Sequence, residues 1–146
     1  MLKGIPSILS PDLLKALAEM GHSDELTIGD GNFPGHSCCD RVYRLDGHGV
    51  PEVLDAILTL MPLDTYVDHP AMLMQVAPGD PAKTPIWDIY REIVTKHEER
   101  GADCFEEIER MAFYDRVKEK SMFVIMTGEK AVYANIILKK GVVKGN

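Results

Sequence analysis

The stretch "SPDLLKALAEMGHSDELTIGDGNFPGHS", residues 10–37, passes from helix to strand to loop and sets the fold class. Ser10 is placed to cap a helix, Pro11 fits a first turn whose amide would go unpaired anyway, and Asp12 meets the positive end of the helix dipole. Leu13, Leu14, Leu17 and Met20 keep helical spacing until Gly21, which predicts a helix over 11–20. "ELTI", residues 25–28, then reads as a strand bracketed by turn residues. The segment from Gly29 to Asp40 is a long loop for a compact domain, and long ordered loops often carry function.

Working outward, "RVYRL" at 41–45 is a second strand, and "VPEVLDAILTLM" at 50–61 carries Val53, Leu54, Ile57, Leu58 and Met61 on one helical stripe. "AMLMQV" at 71–76 is a buried strand. Thr84 and Pro85 open a third helix, predicted to turn Ile86, Ile89, Tyr90 and Ile93 inward and to end by Gly101. The segment around Ile108–Met111 reads as extended or ambiguous, "AFYDRVKEK" at 112–120 as a short helix, and "SMFVIMT" and "VYANIILKK" as two closing strands around Gly128. Helix and strand alternate with no internal repeat or linker, so residues 1–146 are expected to form one compact α/β domain, a mixed sheet flanked by helices.

The totals agree. A chain of 146 residues buries roughly 68–70 % of its unfolded surface, so it needs no metal or disulfide staple. The net charge of -7 argues against a nucleic-acid partner, which calls for a basic face. No run of about 18 apolar residues suggests a membrane span, and the first 15 residues lack a signal-peptide pattern. With three cysteines, Cys38, Cys39 and Cys104, a complete disulfide framework is impossible, and a cytoplasmic location is expected.

Several polar positions stand out, and each has a purely structural reading beside a functional one. His22, just past a helix C-terminus, is either a cap stabilised by the dipole or a proton-transfer group. Asp30, between Gly29 and Gly31 at a strand end, is either a turn residue or a ligand group of the kind α/β proteins place there. On a regular final strand Tyr133 and Asn135 share a face, while Ala134, Ile136 and Leu138 point the other way. A buried asparagine there needs a partner, which backbone or a sugar hydroxyl would supply. Arg110 alone reads as a solvated charge. His22, His36, Cys38 and Cys39 match no zinc spacing, and no phosphate-binding glycine loop is present, so neither a metal nor a nucleotide cofactor is expected.

The segments "SPDLLKALAEMGHSDE", "DGNFPGHS", "RMAFYDR" and "TGEKAVYANIILKKGV", in that order, resemble the L-fucose mutarotase branch of the ribose pyranase and fucose mutarotase family. The resemblance covers nearly the whole chain and is weakest from 46 to 105. It implies a cofactor-independent enzyme that interconverts anomers of a monosaccharide, L-fucose, in pentameric rings stacked as a homodecamer with sites between neighbouring subunits. It casts His22 as the catalytic acid or base. Asp30, Arg110, Tyr133, Ala134 and Asn135 become sugar-binding positions, with alanine at 134 where some relatives have glycine. His36 and Tyr114 fall in matching motifs as further candidates. The competing expectations are a non-catalytic monosaccharide-binding protein, a ribose-type pyranase, and a metal or redox protein built on Cys38 and Cys39.

Overall fold

The computed structural model describes residues 1–145. Helix α1 is Pro11–Glu19, capped by Ser10, whose side chain accepts the Leu13 amide. It is followed by strand β1, Glu25–Gly29; a short helix α2, Gly35–Cys38; β2, Val42–Leu45; α3, Val50–Leu60; and β3, Ala71–Met74. Then come α4, Pro85–His97; a 3-10 turn, Gly101–Cys104; β4, Phe105–Ile108; α5, Arg110–Lys120; β5, Ser121–Thr127; and β6, Ile136–Lys139.

The strands form one six-stranded sheet in the order β2-β5-β1-β6-β3-β4. β1, β2 and β5 pair in parallel, as do β3 and β4, and only β6 runs antiparallel, between β1 and β3. All five parallel strands therefore end on one edge of the sheet, the edge at which β6 begins. A mixed α/β sheet flanked by helices is what the element pattern predicted.

Alternation along the strands sorts side chains into two layers. Leu26, Ile28, Phe123, Ile125, Ile136 and Leu138 join the core under α1, α3 and α4. Val124, Met126, Met72, Met74 and Ile137 join a second core with Phe113 and Val117 of α5. On the α5 side Glu25 is buried, and Arg116 holds both its carboxylate oxygens at 2.9 Å, with Lys139 at 3.1 Å. This ion cluster ties α5 to β1 and β6, and it holds the Glu25 carboxyl below the ordinary range against the opposing effect of burial.

Four expectations need correction. The 29–40 loop contains α2. In α4, Ile86, Tyr90 and Ile93 face inward as expected, but Ile89 is exposed, because the buried stripe widens toward Trp87 and Val94 and leaves position 89 on its solvent side. Arg110 and Met111 belong to α5, which Glu109 caps by accepting the amides of Met111 and Ala112 at 3.0 Å; an extended reading of 108–111 holds only for Ile108. The last strand starts at Ile136, so Tyr133, Ala134 and Asn135 precede it, and Tyr133 has φ 53°.

Gly128, at the turn leaving β5, lies so close to the backbone of Asp46 that an added Cβ would overlap the Asp46 carbonyl oxygen. Its own amide donates to the His48 carbonyl at 2.9 Å. Backbone cannot swing aside as a side-chain tip can, so Gly128→Ala is expected to destabilise the fold by about 1–3 kcal/mol. Urea unfolding checks this; an unchanged midpoint would mean the corner yields freely.

Candidate functional site

The edge where the parallel strands end carries a cavity of ≈ 280 Å³. Open α/β sheets bind ligands outside the carboxyl ends of their strands, so this is where a site is expected. Five candidate residues line it: Asp30 beyond β1, Arg110 and Tyr114 on α5, and Tyr133 and Asn135 before β6. Asn32, Phe33, Met74, Asp80 and Val132 complete the wall.

Each group is held from behind. Asp30 is 5 % exposed, its Oδ1 accepts the Asn32 amide at 2.9 Å, and its own amide donates to Asn135 Oδ1 at 2.8 Å. The Asn135 carbonyl oxygen is thereby spent on backbone, which leaves its NH₂ as a donor. Burial pushes the Asp30 carboxyl up; nearby amides, those of Asn32, Ala134 and Phe33, oppose this only in part, and the charge of Glu129 adds to the rise. Glu129 organises the turn after β5. Its carboxylate accepts amides of Val50, Lys130 and Ala131, and its carbonyl accepts the Gly31 amide at 2.9 Å.

Tyr133 sits in the left-handed region, which a bulky residue enters at a cost of order 1–3 kcal/mol. Surrounding bonds over-determine it. Its hydroxyl donates to Asp80 Oδ2 at 2.5 Å and accepts the Ala77 amide at 3.3 Å, and its carbonyl accepts Trp87 Nε1–H at 2.8 Å. The bond to Asp80 holds the Tyr133 phenol above its ordinary range. Ala134 is fully buried and serves through its carbonyl, which accepts the Tyr90 hydroxyl at 2.7 Å. Ala134 therefore faces away from the cavity, although the cause is a turn gripped by α4 rather than strand alternation. Arg110, the first residue of α5, has its guanidinium 5.7 Å from the Tyr114 ring centre. A cation there faces the positive end of the helix dipole, an arrangement disfavoured for stability alone.

Two candidates lie elsewhere. The His36 ring meets Arg44 Nη1 at 3.2 Å, away from the cavity lining. His22 precedes β1, whereas Asp30 follows it, and five strand residues span about 16 Å. His22 is also no helix cap: α1 ends at Met20 in extended backbone, and His22 Nε2 lies 3.0 Å from Asp64 Oδ1 with its ring against Tyr66. One chain thus holds His22 and the cavity at opposite edges of the sheet. Sequence reasoning missed Asp64 and Asp80. Asp64 carries a weak signal, being a turn aspartate before a strand, but pairing with His22 depends on β3 lying parallel to β1 across β6. Nothing local marks Asp80 as the partner of Tyr133.

Among the described residues no group of three or more His, Cys, Asp or Glu is arranged to hold a metal, and no helix is long and apolar enough to cross a membrane. Cys38, Cys39 and Cys104 are unpaired thiols.

Residues 3–143 match the profile of the RbsD / FucU transport protein family. FucU from Bifidobacterium longum is 56 % identical with a TM-score of 0.95, over 97 % of this chain and 100 % of that one. The Streptococcus pneumoniae fucose mutarotase, solved in complex with L-fucose, is 47 % identical with a TM-score of 0.91, over 98 % and 100 % of the two chains. Human fucose mutarotase is 47 % identical over 99 % of this chain and 96 % of its own length.

Because its folded-state pKa is raised, Asp30 favours folding when protonated; that contribution is present below about pH 4 and is lost as pH rises through the folded value. At neutral pH the ionised carboxylate is therefore a burden on the fold. Asp30→Asn keeps Oδ1 for the Asn32 amide and is expected to melt above wild type at pH 7, with the margin shrinking toward pH 3.5 in scanning calorimetry. A variant melting at or below wild type at pH 7 would contradict this.

Proposed function

Since the chain belongs to the RbsD / FucU transport protein family, we propose that it is a mutarotase that interconverts the α and β anomers of L-fucose without a cofactor, supporting fucose utilisation in the cytoplasm. The observation that carries this reading is the convergence of Asp30, Arg110, Tyr133 and Asn135 on one cavity of monosaccharide scale. The fucose complex of the Streptococcus pneumoniae relative supports the choice of sugar. A few fixed polar groups among apolar walls are what orients a small ligand. The Asp30 carboxylate accepts from sugar hydroxyls, the Asn135 NH₂ and Arg110 donate to them, and Phe33, Tyr114 and Val132 cover the apolar faces. By the resemblance, arginine at 110 marks the fucose type where ribose-type members have histidine.

The reaction is proton bookkeeping around one bond. A base removes the proton of the anomeric hydroxyl while an acid protonates the ring oxygen, the bond from C1 to the ring oxygen breaks, and an open-chain aldehyde forms. Rotation about C1–C2 exposes the other carbonyl face, the hydroxyl adds back, and both protons return. Positioned acid–base groups contribute about 10²- to 10⁴-fold, suited to a reaction that already proceeds in water. His22 is the proton-transfer group in this reading, its imidazole carrying a donor and an acceptor nitrogen.

His22 and the cavity occupy opposite edges of the sheet, so the proposal includes an assembly in which a neighbouring subunit's His22 completes each cavity. Pentameric rings, paired as decamers, supply such neighbours. Exposed apolar side chains stand at both half-sites: Tyr66, 73 % exposed, beside His22, and Met111 and Val132, 58 % and 52 % exposed, at the cavity end.

Saturation-exchange NMR on L-fucose tests the activity: His22→Ala is expected to lose catalysed anomer exchange, and a wild-type rate in that variant would defeat the reading. Full exchange of a protein that only binds sugar is not expected, so the same measurement separates the two. Mixing unfolded His22→Ala and Asn135→Ala chains and refolding them together is expected to restore part of the activity that each lacks alone. No restoration would place both half-sites' work within a single chain.

A further inference from the structure

Asp64 lies in the connection between α3 and β3, at the same sheet edge as His22. It is 1 % exposed and fixed through its backbone: its amide donates to the Lys139 carbonyl at 3.0 Å, and its carbonyl accepts Arg100 Nη2 at 2.9 Å. The neighbouring Leu63 forms a bridge with Lys140. Its Oδ1 accepts the Tyr66 amide at 3.0 Å and meets His22 Nε2 at 3.0 Å, while Oδ2 is buried with no hydrogen-bond partner. A buried carboxylate with one oxygen orphaned is a poor choice for stability alone, and groups of this kind concentrate at functional sites. Burial pushes this carboxyl up, but the Tyr66 amide and the His22 ring outweigh it and hold it below the ordinary range.

The carboxylate is thus an acceptor only, and the proton between the two side chains belongs to His22 Nε2. Nδ1 is left to exchange protons, with no partner among the described residues, and the Tyr66 ring, 5.0 Å away centre to centre, limits rotation of the imidazole. We infer that Asp64 is a positioning residue for the reaction. It fixes His22 with its hydrogen on Nε2, presents Nδ1 outward toward the sugar, and stabilises the imidazolium that exists while Nδ1 holds a substrate proton. Whichever sugar oxygen Nδ1 serves, the proton arrives and leaves there, and Asp64 stays ionised throughout. This inference rests on the proposed role of His22.

The test uses the full chain in its own assembly. Asp64→Asn keeps an oxygen for both the Tyr66 amide and the His22 ring and removes only the charge; Asp64→Ala removes the acceptor as well. Asp64→Asn is expected to fold but, having lost a carboxylate held below its ordinary range, to melt below wild type at pH 7, and to exchange L-fucose anomers about tenfold or more slowly at saturating sugar at temperatures where it is folded, with KM within about twofold. In alkaline buffer, ¹⁵N spectra of the His22 ring, assigned by their loss in His22→Gln, should show Nε2 protonated and Nδ1 bare. Asp64→Ala should move both signals toward the average of the two tautomers. A wild-type kcat in Asp64→Asn, or unmoved ring signals in Asp64→Ala, overturns the inference. If Asp64→Ala does not fold, the kcat of Asp64→Asn decides alone. If His22→Gln itself retains wild-type exchange, the proposed function fails, while the ring signals still report separately whether Asp64 holds the imidazole.

Discussion

β1 is the constraint around which the site is arranged. Hydrogen-bonded on one side to β5 and on the other to β6, and buried at all five residues, it cannot bend or slide. It holds His22 at its start and Asp30 at its end. Because β6 alone runs backward, the chain returns to the Asp30 edge at Tyr133–Asn135, and its far end, Lys139 and Lys140, returns to the His22 edge, where it braces Asp64 and its neighbour. The one antiparallel strand therefore furnishes each edge with groups the other cannot reach. A reaction needing both His22 and Asp30 calls for two chains.

Departures from what favours stability gather at these two edges. Tyr133 takes a left-handed backbone, Asp30 is a buried carboxylate pushed toward protonation, Arg110 opposes a helix dipole, and Asp64 buries an orphaned oxygen. Elsewhere the chain obeys the ordinary rules: apolar layers above and below the sheet, a capped α1, and a Glu25 carboxylate fully paired with Arg116 and Lys139. Strain of this kind persists only where surrounding structure over-determines it, and the bonds from Trp87, Tyr90, Asp80 and Glu129 supply that.

Helices α1, α3, α4 and α5 and the parallel strands β1, β2, β3 and β5 were legible in the sequence because their signals are local; the four-residue α2 and β4 were not. Ser10-Pro11-Asp12 starts α1, the periodicity of Val50–Met61 marks α3, and "SMFVIMT" gives β5 to the residue. Long-range causes hid the rest. "VYAN" has the composition of a strand, yet α4 bends it into a turn by claiming the carbonyls of Tyr133 and Ala134. Arg110 read as a solvated charge in an extended or ambiguous stretch because the cap, Glu109, is a weaker start signal than serine or aspartate. Asp30, Tyr133, Asn135 and Arg110 stood out by type and position, while their roles, and Tyr114 as a candidate, came from resemblance; the fold brings these five to one cavity and leaves His36 with Arg44 and His22 with Asp64. Those two aspartate partnerships, His22 with Asp64 and Tyr133 with Asp80, join residues 42 and 53 positions apart, a distance over which no sequence pattern reports contact.

In the proposed site, a sugar held in the cavity of one chain meets a histidine from another. A crystal structure of the assembled protein with L-fucose tests it most directly. Fucose is expected between Asp30, Arg110, Tyr133 and Asn135 of one subunit, with Nδ1 of a neighbouring subunit's His22 within hydrogen-bond distance of the anomeric hydroxyl or the ring oxygen. Fucose bound in that cavity with no histidine from any neighbour near its anomeric centre would contradict it.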